Sequence, residues 1–207
     1  MLRVGLTGSI AVGKSFVAAT LVDLGCHVLD ADQTARKVVA RGSVGLRAVV
    51  QAFGEEILRE DETLDRARLG QIVFADESKR ALLNSILHPF IIEEQDRQLE
   101  RWEAEDPQGI GVVDAALMIE SGGYLRFDKI IVVYCRPEVQ LQRLMARSGW
   151  TPTEAERRIN AQMPQEQKKR YADFLIDSSG GFASTRQQTE EVYKALRKIA
   201  DGESLAS

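Results

Sequence analysis

Short apolar runs alternate along this chain with longer segments in which apolar residues recur at helical spacing. Near-continuous apolar runs are typical of strands in a parallel sheet covered on both faces. The predicted strands are residues 2–7, 27–30, 110–114, 129–135 and 173–177. Helical spacing follows the first run, over 16–24, and ends at Gly25. The pattern therefore predicts an α/β fold built on a doubly wound, five-stranded parallel sheet.

Two segments between the predicted strands are too long to be simple crossovers, which need only about a dozen residues. Residues 35–108 have helical spacing without a convincing strand and predict an inserted helical subdomain, with Pro89 in the first turn of a helix that extends to Trp102. Residues 136–171 are rich in arginine and lysine and predict a helical lid, although a solvated helix face explains about half of these cations. The core is then about 1–34, 109–135 and 172–207, within one domain over 1–207.

Composition narrows the class of partner. The 207 residues are 44% hydrophobic and 28% charged, with a formal net charge of -4. A negative chain argues against a broad nucleic-acid surface, because phosphate backbones are held by clustered cations. No apolar run approaches the ~18 residues that span a bilayer, and residues 1–3 lead directly into the first strand. We expect a cytoplasmic monomer or weak homo-oligomer with no membrane or nucleic-acid partner, in which Cys26 and Cys135 are buried core residues.

The strongest chemical signal follows the first strand directly. The stretch 8–15, Gly-Ser-Ile-Ala-Val-Gly-Lys-Ser, fits the phosphate-loop pattern G-x-x-x-x-G-K-[ST] in full. Such a loop offers backbone N–H groups to phosphates, Lys14 reaches the β- and γ-phosphates, and the Ser15 hydroxyl suits a Mg²⁺ ion. An ordinary glycine-containing turn before a helix is the alternative. The motif predicts a nucleoside triphosphate site at Gly8, Ser9, Ile10, Ala11, Val12, Gly13, Lys14 and Ser15.

Two aspartates at the end of the second strand favour a kinase over an ATPase. If the strand continues, Asp30 and Asp32 lie on the same face, at the sheet edge where α/β proteins bind ligands. One of them can accept the proton of an attacking hydroxyl while Lys14, Mg²⁺ and arginines stabilise the transferred phosphoryl group. The alternative for Asp32 is a cap on a helix beginning near Gln33.

Three further residues are weaker candidates. Asp114 ends the third strand and resembles a Walker-B acid that holds Mg²⁺ through water, although a helix cap explains it equally well. Glu120 follows closely enough to line the same cleft. His88 precedes Pro89 and is, on general grounds, more often a structural residue with satisfied hydrogen bonds than a catalytic one.

Over nearly the whole chain, these motifs resemble the dephospho-coenzyme A kinase family. The phosphate loop alone is shared with many unrelated NTPases, whereas its combination with Asp-Ala-Asp and His-Pro at these separations is far more specific. The matching pieces are 5–15, Asp30-Ala31-Asp32 with Arg36, 87–89, 114–122, Gln140 with Arg143 and Arg147, 158–162 without Asn160, and 172–177 before Ser179-Gly180.

The resemblance implies transfer of the γ-phosphate of ATP to the ribose 3′-hydroxyl of dephospho-coenzyme A, the last step of coenzyme A synthesis. It implies that Asp32 is the general base, that 11–16, including Phe16, wraps the ATP phosphates, and that Arg143 and Arg147 close over them. The helical insertion would be the coenzyme A domain and the arginine-rich insertion the lid. Candidate acceptor contacts are Asp30, Arg36, His88 and Glu120; candidate metal contacts are Ser15 and, through water, Asp114.

The chain departs from the family pattern at four places: the loop positions 9–12 are poorer in glycine and serine than usual, and Ala116, Ser148 and Ser178 replace the usual residues. None of these changes removes a proposed catalytic group. Two other functions stay open at this point. A kinase for nucleoside monophosphates or sugars would share the loop, lid and sheet. A nucleotide-binding switch is disfavoured because the sequence has no Asn-Lys-x-Asp segment for reading guanine.

Overall fold

Five strands form one sheet, in the order β2-β3-β1-β4-β5. They are β1 (Leu2–Thr7), β2 (His27–Asp30), β3 (Ile110–Asp114), β4 (Lys129–Tyr134) and β5 (Phe174–Asp177). A computed structural model describes residues 1–202; residues 203–207, which the sequence analysis assigned to the core, lie outside the described residues. The predicted sheet is confirmed, and β4 and β5 are each one residue shorter than predicted.

The sheet brings three strand ends to one edge. Strand β1 runs parallel to both β3 and β4, with Leu6 opposite Asp114 on one side and Ile131 on the other. Because neighbouring strands are in register at their carboxyl ends, the segments that follow β1, β3 and β4 emerge together. The apolar core of the sheet includes buried residues from its strands and from the helices over 14–23 and 182–200. These residues are Val4, Leu6, Val112, Ile131, Val133, Ile176, Val17, Leu21, Val192 and Leu196.

The chain divides into two compact units, and the sheet belongs to the first, which comprises residues 1–29 and those from Arg101 onward. Its helices are α1 (Lys14–Asp23), α6 (Pro137–Ser148), α7 (Pro152–Asn160), α8 (Gln165–Lys168) and α9 (Phe182–Ala200). Helix α7 begins with a complete capping box: the Thr151 hydroxyl accepts from the Glu154 N–H, and the Glu154 carboxylate accepts from the Thr151 N–H.

The second unit, residues 30–100, is helical and has its own apolar core. Its helices are α2 (Ala31–Lys37), α3 (Val44–Phe53), α4 (Arg66–Ala75) and the larger part of α5 (Glu77–Glu105). The buried residues of this core are Val39, Leu46, Val49, Phe53, Ile57, Leu64 and Leu69. Leu58 and Leu64 form an isolated antiparallel β-bridge.

The prediction that Pro89 lies in the first turn of its helix is wrong. Helix α5 begins at Glu77, and Pro89 lies inside it. The start signal is Asp76, whose carboxylate accepts hydrogen bonds from the N–H groups of Ser78 at 2.8 Å and Lys79 at 3.3 Å. A proline inside a helix removes one N–H and is best tolerated on an exposed face, where water can bond the carbonyl that loses its partner. Pro89 is exposed.

Both cysteines are free and buried, as predicted. Burial raises the pKa of the Cys26 thiol to about 12, and it also raises the pKa of Cys135. These thiols are therefore neutral packing groups at physiological pH. None of the helices in the described part of the chain combines the length and the apolar character needed to cross a membrane.

Candidate active site

The phosphate loop connects the end of β1 to the first residue of α1. A Cβ at Gly8 would lie 2.5 Å from the carbonyl oxygen of Val133, closer than real Cβ atoms approach backbone. Gly13 caps α1 with a φ of 87°, in the left-handed region that glycine adopts without strain. Both glycines of the motif are therefore required by the local geometry, and α1 points its positive end at the loop.

Ala11, at the centre of the loop, also has a positive φ, of 61°. The loop is poorer in glycine than is usual for the family that the sequence resembles, and this matters at Ala11. A left-handed conformation costs a residue with a Cβ about 1–2 kcal/mol. The surroundings of the loop must compensate for this strain.

Lys14 and Asp114 form an ion pair across the ends of β1 and β3. Both side chains are largely buried, at 18% and 10% exposure. The parallel register of the two strands causes this meeting, since Asp114 lies opposite Leu6, two residues before the loop. The alternative that Asp114 caps a helix is wrong, because residues 116–122 form turns. The candidate metal acid therefore lies at the phosphate loop and pairs with its lysine.

The Ser15 and Asp114 side chains fit a Mg²⁺ ion whose other ligands are nucleotide phosphates and water. The Ser15 hydroxyl is exposed at the start of α1 and has no hydrogen-bond partner among residues 1–202, so its oxygen is available. The Asp114 carboxylate supplies a second oxygen nearby. No group of three or more His, Cys, Asp or Glu side chains in the described chain could hold a metal by itself. Mg²⁺ usually keeps several waters and binds one or two protein oxygens plus phosphates, which matches this donor set.

Arg143, on α6, reaches the phosphate loop through Ser178. Its guanidinium donates to the Ser178 hydroxyl at 2.9 Å and to the Ser178 carbonyl at 2.8 Å. The Ser178 hydroxyl in turn donates to the carbonyl of Val12 at 2.6 Å. A Cβ at Gly13 would be 3.6 Å from the Arg143 guanidinium. Ser178, noted in the sequence only as a departure from the family, thus bridges the arginine to the loop.

Arg147 lies one turn further along α6 and is exposed, with no side-chain partner among the residues that the structure describes. Arg143 is therefore held against the loop in this structure, whereas Arg147 is available to a ligand. Two further arginines of the 136–171 insertion, on α7, also differ from each other. Arg157 is exposed, and Arg158 lies over the Trp150 ring with its guanidinium carbon 5.3 Å from the ring centre.

Glu120 is held by a lysine that sequence reasoning did not single out. The Lys168 ammonium is completely buried and donates to Glu120 at 2.9 Å and to the Ala116 carbonyl at 2.7 Å. The same carbonyl accepts from the Thr7 hydroxyl at 3.2 Å. Burial lowers the pKa of Lys168, and the neighbouring Glu120 carboxylate counteracts that shift. This cluster ties α8 to the segment after β3 and to the last residue of β1.

The two aspartates at the end of β2, Asp30 and Asp32, belong to the helical unit and have different surroundings. Strand β2 ends at Asp30, so the expectation that Asp30 and Asp32 share a strand face is wrong. The alternative that Asp32 caps a helix is also wrong. Helix α2 begins at Ala31, and its cap is Asp30, whose carboxylate accepts from the N–H groups of Asp32 at 2.7 Å and Gln33 at 3.2 Å. The Asp32 carboxylate is exposed and has no partner within residues 1–202.

Two other predicted acceptor contacts in this unit are exposed as well. Arg36 lies four residues after Asp32 on α2, so the two side chains share a helix face. Its guanidinium and the His88 ring on α5 have no side-chain partner in the described chain. The interpretation of His88 as a structural residue with satisfied hydrogen bonds is therefore wrong.

Comparison with known proteins agrees with this geometry. The family model described as dephospho-CoA kinase matches residues 2–184. A dephospho-CoA kinase of Shouchella clausii is 44% identical over 199 residues, covering 96% of this chain and 99% of the relative.

Two solved structures have the same fold over almost their whole length. The Thermus thermophilus protein TT1252 superposes with a TM-score of 0.80 at 28% identity, covering 94% of this chain and 96% of that one. A dephospho-CoA kinase from Campylobacter jejuni superposes with a TM-score of 0.72 at 29% identity, covering 97% and 98%. The phosphate loop, the Lys14–Asp114 pair and these matches lead to one conclusion: the chain belongs to the dephospho-CoA kinase family.

Proposed function

We propose that Asp32 is the general base and that Lys14, Arg143 and Arg147 stabilise the transferring phosphoryl group in the dephospho-CoA kinase reaction of this chain. The reaction moves the γ-phosphate of ATP to the ribose 3′-hydroxyl of dephospho-coenzyme A. The observation that carries the proposal is the complete phosphate loop with Lys14 at its end, in a chain matched by the family over residues 2–184.

The base must take one proton. As the acceptor oxygen bonds to the γ-phosphorus, the bond from that phosphorus to the bridging oxygen breaks, and ADP leaves with that oxygen. The hydroxyl proton passes to a carboxylate. An acid that is already a helix cap, such as Asp30, is poorly suited to this step, whereas the Asp32 carboxylate is exposed and unengaged. Asp30 is better suited to fixing the start of α2 and hence the position of Asp32.

Phosphoryl transfer is catalysed mainly by positioning and charge stabilisation. The phosphate-loop N–H groups, over 11–16, and the Lys14 ammonium would bind the ATP phosphates. Mg²⁺, held by the Ser15 hydroxyl and through water by Asp114, would neutralise charge on the β- and γ-phosphate oxygens. When ATP arrives, Lys14 can exchange its Asp114 partner for phosphate oxygens without a change of fold.

We assign recognition of the acceptor to the helical insertion, about 35–108, and the lid role to 136–171. Exposed groups with the right chemistry for phosphates and hydroxyls are Arg36 and His88. Glu120 is a less direct candidate, since Lys168 and the Met163 N–H already engage its carboxylate. We also propose a cytoplasmic location, which two free buried cysteines support, and a monomer or weak homo-oligomer.

The function is tested by an assay that couples ADP release to a spectroscopic signal. We expect ADP release to depend on dephospho-coenzyme A and to be far slower with nucleoside monophosphates or sugars as acceptors. The product should carry one phosphate on the ribose 3′-oxygen by mass spectrometry and phosphorus NMR. ADP release at the same rate without any acceptor would instead identify a nucleotide-hydrolysing switch, and preference for another acceptor would identify a different small-molecule kinase.

The lid arginines give a second test. Arg147→Lys and Arg143→Lys each keep the charge but lose the planar, bidentate fork. We expect each change to lower kcat roughly tenfold to a hundredfold, part of the ~10³ that an arginine contributes to such transition states. Arg147→Lys should depress kcat more than it raises KM for ATP, because Arg147 has no structural partner to lose within the described chain.

The matched control is Arg157→Lys, at an exposed arginine of α7, which should be nearly silent. Steady-state kinetics on the purified variants would decide the matter. Near-normal kcat for both Arg143→Lys and Arg147→Lys would show that neither arginine stabilises the transferring phosphoryl group.

A further inference from the structure

Three glutamines of the 136–171 insertion form hydrogen bonds around the phosphate loop; we call Gln140, Gln162 and Gln165 the glutamine clasp. The Gln140 side-chain amide donates to the Ile10 carbonyl at 2.8 Å. The Ile10 N–H donates to the Gln162 side-chain oxygen at 2.7 Å. Both backbone groups of Ile10 are thus bonded by side chains from outside the loop, and Ile10 directly precedes the strained Ala11.

The hydrogen-bond partners fix the orientation of the clasp amides. The Cys135 N–H donates to the Gln165 oxygen at 2.9 Å, so the Gln165 nitrogen points away and donates to the Gln140 oxygen at 2.8 Å. That arrangement leaves the Gln140 nitrogen facing the Ile10 carbonyl, which needs a donor. The Cys135 N–H at one end and the Ile10 carbonyl at the other therefore require the same orientation of the Gln165 and Gln140 amides. Gln140 is 2% exposed, so its amide makes these bonds in the protein interior.

The segment that carries Gln162 and Gln165 is anchored on both sides. The Ser9 hydroxyl donates to the Met163 carbonyl at 3.5 Å, and the Met163 N–H donates to Glu120 at 3.3 Å. At the other end, the buried Lys168 bonds Glu120 and the Ala116 carbonyl. A segment held at these points presents Gln162 to Ile10 and Gln165 to Gln140 in fixed positions.

We propose that Gln140 and Gln162 are positioning residues for ATP, which hold the Ile10 peptide groups so that Ala11 keeps its left-handed conformation. An alanine left to itself prefers the right-handed or extended regions, and that rotation would turn the neighbouring loop N–H groups away from a phosphate. The Ile10 N–H is occupied by Gln162, so the phosphates would be bound by the N–H groups that follow it. The proposal rests on the nucleotide-binding role of the loop and is independent of which acceptor receives the phosphate.

A comparison of Kd values for Mg·ATP tests it. Gln162→Met keeps the length of the side chain and removes the acceptor oxygen. We expect it to raise the Kd measured by calorimetry about tenfold, equivalent to 1.4 kcal/mol, with kcat at saturating substrate changed less than about twofold. Gln162→Asn, whose side chain is one methylene too short to reach Ile10, should have the same effect. It replaces the methionine variant in this test if that variant does not fold.

The control is Gln167→Met. Gln167 lies on α8, two residues after Gln165, in the same segment as Gln162. Gln167 is exposed, and its side chain has no partner among the described residues. This change should leave the Kd for Mg·ATP unaltered. A similar loss of affinity in Gln167→Met would overturn the proposal, because it would show that any change to this segment disturbs the loop.

The link to Ala11 is tested by repeating the measurement in an Ala11→Gly background. Glycine adopts the left-handed conformation without strain, so the loop should need the glutamine clasp less to keep that conformation. We expect Gln162→Met to raise the Kd there by about threefold or less, a coupling that a purely structural role would not produce. A folded Gln162→Met protein with the parental Kd, or an equal tenfold loss in both backgrounds, would refute the proposal. Calorimetry contains no acceptor, so a failure of the assigned kinase activity would leave this comparison intact.

Discussion

Asp32→Asn should lower kcat by roughly 10² to 10⁴ while the Kd for ATP stays near its parental value. Asparagine has the same shape but cannot accept the proton of the attacking hydroxyl. The carboxylate is exposed and unengaged in the described chain, so its removal breaks no hydrogen bond within it. Asp32→Ser should be equally inactive. The measurements are steady-state kinetics with dephospho-coenzyme A and calorimetry with ATP.

The structure separates this effect from a change in helix stability. Asp30, not Asp32, caps α2, so the Asp32 variants keep the cap. They lose only a negative charge in the first turn, worth about 0.3–1 kcal/mol. Glu138→Gln, at an exposed first-turn acid of α6, removes the same kind of charge and should leave kcat unchanged. If Asp32→Asn and Asp32→Ser both turn over at the parental rate, the base is another residue.

The sheet and the phosphate loop could be predicted because their signals are local. An apolar run of strand length needs no knowledge of its neighbours, and the loop motif has a fixed spacing. The positions of Lys14 and Asp114 follow from the same logic, since two parallel strands in adjacent positions bring their ends together. For this reason the sequence alone predicted the loop and the strand that ends at Asp114.

The helix starts were predicted less well, because capping residues compete over one or two positions. The sequence suggested Asp32 as the alternative cap of a helix beginning near Gln33, whereas α2 begins at Ala31 and its cap is Asp30. For α5, Asp76 is a good cap that the more conspicuous Pro89 concealed. The choice at α2 matters here, since it decides which aspartate is free to act as a base.

The contacts that hold the loop could not be predicted, because they join residues far apart in sequence. Lys168 lies in a polar run beside Lys169 and Arg170, and nothing local distinguishes it from them, yet its ammonium is buried against Ala116 and Glu120. Nothing about the identity of Ala11 indicates a positive φ. Gln162 was noted only as part of a family match, and its bond to Ile10 depends on how the whole insertion folds.

Lys14→Met is the second change with a large expected effect. Methionine keeps most of the volume and removes the cation that would stabilise charge on the transferring phosphoryl group. Loss of one such electrostatic contact costs on the order of 3 kcal/mol in the barrier, so kcat should fall by more than about 10². Single-turnover measurements with excess enzyme would show whether the chemical step itself has slowed.

The ion pair complicates this prediction and also provides its control. In Lys14→Met, the carboxylate of Asp114 loses its ammonium partner while 10% exposed, which should cost about 1–3 kcal/mol of stability. The double variant Lys14→Met/Asp114→Asn removes the leftover charge, and we expect its free energy of unfolding to return toward the parental value. Its kcat should stay as low as that of Lys14→Met, because the cation is still missing.

Lys14→Arg keeps a positive charge at this position, but its fork is wider than a lysine ammonium and cannot take the same place among the loop N–H groups. We therefore expect an intermediate kcat for this variant, with Asp114 still paired and the stability close to parental. A folded Lys14→Met protein with parental turnover would remove the assignment of the phosphate site. Recovery of activity in the Lys14→Met/Asp114→Asn double variant would show instead that the misplaced carboxylate, not the missing cation, caused the defect.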